Sequence, residues 1–147
     1  VMVVTMTDLY FGGSLWCNID VALRRINSFY EQETESLGLT VVEWYILRAL
    51  YEQDGQMPSQ LARIVGRPPT SFTPSLDKIE KTGLIERRQN PADRRSVKIF
   101  LTTKGKALRD AVVEGADRID NKLRQEFSDK NWQIYERVII FLQTLEK

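Results

Sequence analysis

Residues 58–101, PSQLARIVGRPPTSFTPSLDKIEKTGLIERRQNPADRRSVKIFL, decide the fold of this 147-residue chain. Pro58 suits a first helical position, where its missing N–H would find no partner anyway. The spacing therefore predicts a short helix over 59–65, with Leu61, Ala62 and Val65 inward and Gly66 closing it. After Pro68-Pro69 another helix is expected to run to Thr82-Gly83, with Phe72, Leu76 and Ile79 on one face. The period then changes. Leu84 to Arg88 and Val97 to Leu101 are strand-length runs, and Gln89 to Ser96 between them contains the turn pair Asn90-Pro91, so a β-hairpin with a charged tip is predicted. Helix, turn, helix and hairpin in this order make a winged helix-turn-helix.

Working outward, Thr40 with Glu43 three residues on is a capping box. It opens a helix to about Gln53 whose stripe is Val42, Tyr45, Ile46, Ala49 and Leu50, and Asp54-Gly55 stops it. Upstream, Ile19, Leu23, Ile26 and Tyr30 mark a helix from Ser14 or Leu15 to Ser36, preceded by a short apolar arm broken at Gly12-Gly13. Downstream, one long helix is read from Thr102 or Thr103 to Phe127 along Leu108, Ala111, Val112, Ile119 and Leu123. Ser128 or Asp129 caps a last helix with Trp132, Tyr135, Val138, Ile139, Leu142 and Leu145 inward.

Composition removes much chemistry. There is no histidine, so imidazole general bases and Ser-His or Cys-His nucleophile pairs are excluded. The single Cys17 can form neither an internal disulfide nor a four-ligand zinc site, and neither a metal nor a cofactor is expected. No apolar run approaches the ~20 residues of a membrane span, and Val1 to Thr7 lacks the basic start of a signal peptide. A cytoplasmic protein with no membrane partner is expected.

The net charge of +1 conceals a division. Between Gln60 and Lys106 there are 11 basic and 4 acidic residues, a balance of +7, while the rest of the chain carries −6. A basic middle between acidic flanks points to a polyanion-binding lobe in a self-associating frame. A helix over 70–81 would fit the major groove of double-stranded DNA and present Thr70, Ser71, Thr73 and Lys78 to base edges, with Pro69 at its head on the same surface. Ser59, Gln60 and Arg63 on the preceding helix would lie near phosphates. At the hairpin tip, Arg94 and Arg95 could enter the minor groove or hold a phosphate, with Asp93 orienting an arginine by a charge-assisted bond.

The opening Leu39-Thr40, the motif Pro58-Ser59-Gln60-Leu61-Ala62, the run from Leu76 to Ile85, the tip Asp93-Arg94-Arg95 and the stretch Leu101-Thr102-Thr103-Lys104-Gly105 resemble, in that order, the multiple-antibiotic-resistance regulator (MarR) family of bacterial winged-helix transcription factors. The resemblance runs from about Leu15 to Lys147. It implies a homodimeric transcriptional regulator, a repressor in the expected mode, released from a palindromic operator by a small-molecule or oxidant signal. It also implies that the family's wing Asp and Arg fall on Asp93 and Arg95. The fold is then mainly α with a small β-hairpin wing. An arm and dimerisation helix (1–38) and C-terminal dimerisation helices (104–147) would form a helical dimerisation lobe around the winged helix-turn-helix lobe (39–103).

Three residues depart from the family pattern. Met57 and Pro68 stand where polar caps are usual, and Pro74 lies inside the recognition helix. Pro74 removes the bond to the Thr70 carbonyl, at roughly 3 kcal/mol, so the helix is expected to begin later or to bend. Cys17 sits where the hydroperoxide-sensing branch of the family has its reactive thiol, but the branch's two tyrosines are replaced by Val21 and Glu31, which favours a packing role. Trp16, Trp44 and Arg48 are candidates to hold a small aromatic ligand, although aromatics at helical spacing are more often core. Arg24, Arg25 and Arg48 are expected to pair with Glu31, Glu33 and Glu35. The competing readings are a thiol-dependent peroxide reductase through Cys17 and a winged-helix protein-interaction module without DNA binding.

Overall fold

Thr40 and Glu43 start the ordered centre of the molecule as their spacing requires. In the computed structural model, which describes residues 9–145, the Thr40 hydroxyl accepts the Glu43 N–H at 3.3 Å and Glu43 Oε2 accepts the Thr40 N–H at 2.9 Å. This box opens α2 (Val41–Glu52). Before it, α1 (Leu15–Ser36) closes at Gly38, where the N–H of Leu39 reaches back to the Thr34 carbonyl. Of the expected N-terminal arm, residues 1–8 lie outside the described residues, and Phe11–Gly13 form a single 3-10 turn.

The helix-turn-helix follows. Pro58 is the first residue of α3 (Pro58–Val65). Met57 offers no side-chain cap, but Gln60 Oε1 accepts its N–H at 2.8 Å, so half of a capping box survives. The second helix of the motif, α4 (Pro69–Lys81), begins at Pro69 and is continuous through Pro74, so the late start that was one of the two expected outcomes does not occur. The single carbonyl deprived of its partner, that of Thr70, lies on the exposed side of the helix with Pro74, where water can satisfy it. Phe72, Leu76 and Ile79 face inward at 3% exposure or less and join Ile46, Leu47, Leu50 and Leu61 in the core. On α2 the buried stripe includes Trp44 and Leu47, whereas Tyr45 is 37% exposed, because the helix is covered over a wider arc than the expected stripe.

The hairpin is longer than its apolar runs suggest. β1 (Ile85–Asn90) pairs antiparallel with β2 (Asp93–Leu101), so the strands continue into the charged tip. Two features outside the hairpin hold its base. Asp54 Oδ1 accepts the N–H of Leu101 at 2.9 Å, and the carbonyl of buried Gln56 accepts that of Ile99 at 2.8 Å. Gly55 between them has φ +74°, and an added Cβ would sit 2.7 Å from the Phe100 ring, so this turn tolerates only glycine.

The expected long helix after the hairpin is broken at Leu108 into α5 (Thr103–Ala107) and α6 (Arg109–Gln125). A contact distant in sequence lies at the break. There the Gly105 carbonyl accepts the Leu108 N–H at 3.3 Å, a tightened turn, and also the Tyr51 hydroxyl at 2.8 Å, which ties this end of α5 to α2. Burial pushes the Tyr51 hydroxyl up to about 12, against a weaker opposing influence of Arg109, so it remains a proton donor. Folding therefore favours the protonated ring: its contribution is complete below pH ~10 and is lost as pH rises from there through about 12. Tyr51→Phe should cost about 1 kcal/mol at neutral pH and flatten that alkaline loss, measured as thermal midpoints across pH 9–12.

After Ser128, whose hydroxyl accepts the Asn131 N–H at 3.4 Å, α7 (Asp129–Gln143) ends the fold. The chain divides into two compact units, one formed by the segments up to Asn27 and from Ala116 onward, the other by Ser28–Gly115.

Candidate nucleic-acid interface

The second unit carries α3, α4 and the hairpin, and it holds α4 by its buried face and by ion pairs at its far half. Glu43, 2% exposed, receives Lys78 Nζ at 3.1 Å besides the Thr40 N–H. Lys78 was expected among the base readers; the structure instead uses it to fasten α4 to the start of α2. Lys78→Met should cost about 1 kcal/mol in stability while leaving the salt slope of DNA binding unchanged; a slope lowered by about one per half-site would return Lys78 to the phosphate contacts.

Other basic residues are also spent internally. Arg87 is bound by Asp77 at 2.5 Å and by Glu80, whose carboxylate also accepts the Arg87 N–H. Arg88 pairs with Glu86 and lies 4.7 Å over the Phe100 ring, and Lys104 donates to the Thr82 carbonyl at 2.8 Å. Among the described residues, Arg63, Arg67, Lys81, Arg94, Arg95, Lys98 and Lys106 then have no acidic partner. Arg63 and Arg67 flank the turn before α4, and Arg94 and Arg95 cap the wing.

The wing tip has a specific build. Asn90 pairs with Asp93 across the turn Pro91-Ala92, but Gln89 already pairs with Val97, so Arg94, Arg95 and Ser96 bulge from the ladder. Asp93 Oδ1 accepts the backbone N–H of Arg95 at 3.0 Å, and the Ser96 hydroxyl donates to the Asp93 carbonyl at 3.0 Å and accepts from Asn90 Nδ2 at 3.0 Å. Asp93 was expected to orient an arginine side chain. It shapes the loop through the Arg95 backbone instead, and neither guanidinium group has an acidic partner among the described residues.

On α4, Thr70, Ser71, Thr73 and Pro74 are exposed. Pro69 is the first helical residue. On α3, Ser59 and Arg63 are exposed, whereas Gln60 is half-buried and committed to the Met57 N–H. Sequence reasoning missed Asp54 and Gln56 as the anchors of the wing, and only a turn-residue signal at Asp54-Gly55 could have drawn attention to them.

The remaining expected contacts separate. Trp44 is 4% exposed, with Tyr30 and Tyr45 at its edges and Arg48 5.6 Å over its ring, which makes it a core residue. Trp16, in the other unit, is 80% exposed. Arg24 pairs with Asp20 at 2.6 Å rather than with the glutamates beyond it. Cys17 is half-buried, its N–H 3.5 Å from the Ser14 hydroxyl. Among the described residues no group of three or more acidic or thiol side chains could hold a metal ion, and no helix is long and apolar enough to cross a membrane.

Residues 39–97, which hold α2, both helices of the motif and most of the wing, match the family model described as MarR family. Over this lobe the chain is similar to the MarR family. Two relatives frame the assignment. The chain is 25% identical over 130 residues to the uncharacterized HTH-type transcriptional regulator YsmB of Bacillus subtilis, covering 86% of this chain and 89% of that one. It is 36% identical over 84 residues to the HTH-type transcriptional repressor Rv2887 of Mycobacterium tuberculosis, covering 55% of this chain and 60% of the repressor. The fold matches the structure of Bordetella bronchiseptica BpsR, whose DNA binding is regulated by 6-hydroxynicotinic acid, with a TM-score of 0.76 at 19% identity over 84% of this chain and 94% of that one.

Proposed function

We propose that this chain is a MarR-family regulator, a homodimeric, sequence-specific DNA-binding repressor that acts in the cytoplasm and performs no enzymatic step. The observation that carries the reading is the exposed face of α4, set between the unpaired Arg63 and Arg67 on one side and the bulged Arg94 and Arg95 of the wing on the other. Such an arrangement suits a helix in the major groove with a wing arginine in the neighbouring minor groove. It also disfavours a wing that serves only protein contacts.

The dimer is supported by apolar surface in the first unit. Leu15 and Trp16 on α1 are 72% and 80% exposed, and Ile140 and Phe141 on α7 are both 61% exposed. Expected core positions of these helices, Ile19, Leu23 and Val138, are likewise open in the single chain. Side chains of this kind suit a second copy, and a two-fold pair would read a palindromic operator with half-sites roughly 10 bp apart.

For the signal, the second unit offers a cleft of about 260 Å³ lined by Leu39, Glu43, Lys78, Leu84, Lys104 and Leu108. An aromatic carboxylate seated there would compete with Glu43 for Lys78 and loosen the pair that holds α4. An oxidant acting through Cys17 is the second route, which labelling of Cys17 by iodoacetamide no faster than free cysteine would remove. The main test is a mobility shift with the DNA upstream of the chain's own gene, across 50–200 mM salt, with and without 6-hydroxynicotinic acid. Sequence-selective binding that falls steeply with salt supports the repressor reading, and sequence-blind or salt-independent binding sinks it.

A further inference from the structure

The exposed side of the first turns of α4 has a restricted chemistry. Thr70, Ser71, Thr73 and Pro74 face outward there, behind the exposed Pro68. None is an Arg, Lys, Asn or Gln, the side chains that grip guanine or adenine through two bonds. Of the charged residues further along the helix, Asp77 is engaged with Arg87 and Lys78 with Glu43, while Lys81 lies at the far end of α4. What this face offers a base edge is therefore chiefly carbon: two threonine methyl groups and the Pro74 ring.

Only one base presents an apolar group in the major groove, thymine with its C5 methyl. Of the three hydroxyls on the patch, that of Ser71 is turned to fit the same base pair. The Ser71 hydroxyl donates its proton to the Pro68 carbonyl at 3.1 Å and so turns lone pairs outward. An acceptor complements the N6 amino group that adenine shows beside the thymine in a T·A pair. We propose that α4 selects its half-site by thymine methyl contacts to Thr70, Thr73 and Pro74, with Ser71 accepting from the paired adenine. The inference rests on the DNA-binding reading above and supplies its specificity.

The test begins with an operator selected from randomised duplex DNA by the full chain at fixed salt. Each thymine of the enriched half-site is then replaced by deoxyuridine, which removes the methyl group alone. At one or two positions per half-site the affinity should fall about fourfold per methyl, the equivalent of about 0.8 kcal/mol per buried carbon. Thr73→Ser and Thr70→Ser keep the hydroxyl and lose the methyl. Each should weaken binding to the thymine duplex and have no effect on the duplex lacking the methyl it touches. Changes in DNA stiffness on methyl removal would act on wild type and variants alike, so the cycle separates them from contact. If the enriched sequence tolerates deoxyuridine throughout, or if the serine variants lose equally on both duplexes, methyl readout is overturned while sequence-specific binding stands. If selection enriches no sequence at all, the DNA-binding reading fails and takes this inference with it.

Discussion

Gly105→Ala is expected to lower the thermal midpoint by roughly 10 °C, the consequence of about 3 kcal/mol of lost stability in a chain of this size. A Cβ at this position would sit 2.0 Å from the Leu84 carbonyl oxygen and 3.0 Å from its carbon, and both are backbone atoms that a rotamer change cannot move. Relief requires α5 to slide away from the start of β1. That movement would break the 3.0 Å bond from the Gly105 N–H to the Thr102 hydroxyl and the 2.8 Å bond from Tyr51 to the Gly105 carbonyl. Scanning calorimetry or circular dichroism reads the shift, with the exposed neighbour Lys106→Ala as a control that should stay within a degree or two. A Gly105→Ala midpoint equal to wild type would mean that α5 is not held against β1 in solution.

The second large effect is on binding. Replacing Arg94 and Arg95 together by Ala should reduce affinity for the selected operator about a thousandfold at physiological salt. A two-fold dimer loses four arginines, each worth roughly 1 kcal/mol in charge-assisted contacts. The slope of log affinity against log salt should flatten by up to about four, near one for each phosphate contact removed. Both residues are exposed and bulge from the ladder, so the thermal midpoint should hardly change. Asp93→Asn keeps an acceptor for the Arg95 N–H and should bind close to wild type. A double-arginine variant with unchanged affinity would place the wing off the DNA.

Much of the fold was legible because its signals are local. Thr40 and Glu43, three apart, cap α2; Pro58 opens α3 where its lost donor is harmless; the change from helical spacing to two short runs announces the hairpin. What escaped reading depends on partners far along the chain. The break at Leu108 lies beside a bond from Tyr51, and the wing is anchored by Asp54 and Gln56 through backbone groups of Leu101 and Ile99. The basic middle was visible as a sum, but its distribution was not. Lys78 and Arg87 became internal fasteners because Glu43, Asp77 and Glu80 fold against them, while Arg94 and Arg95 were left outward by a bulge that no turn rule specifies.

The first turn of α5 occupies the last carbonyls of the reading head. The Thr102 hydroxyl donates to the Gly83 carbonyl at 2.6 Å, the Thr102 N–H to that of Leu84 at 3.1 Å, and Lys104 to that of Thr82 at 2.8 Å. The end of α4 and the root of the wing are thereby tied to one short helix. α6 follows directly and runs on into the other compact unit. Whatever displaces α5 must therefore move the end of α4 and the root of the wing together, as a key turns with its handle, rather than one after the other.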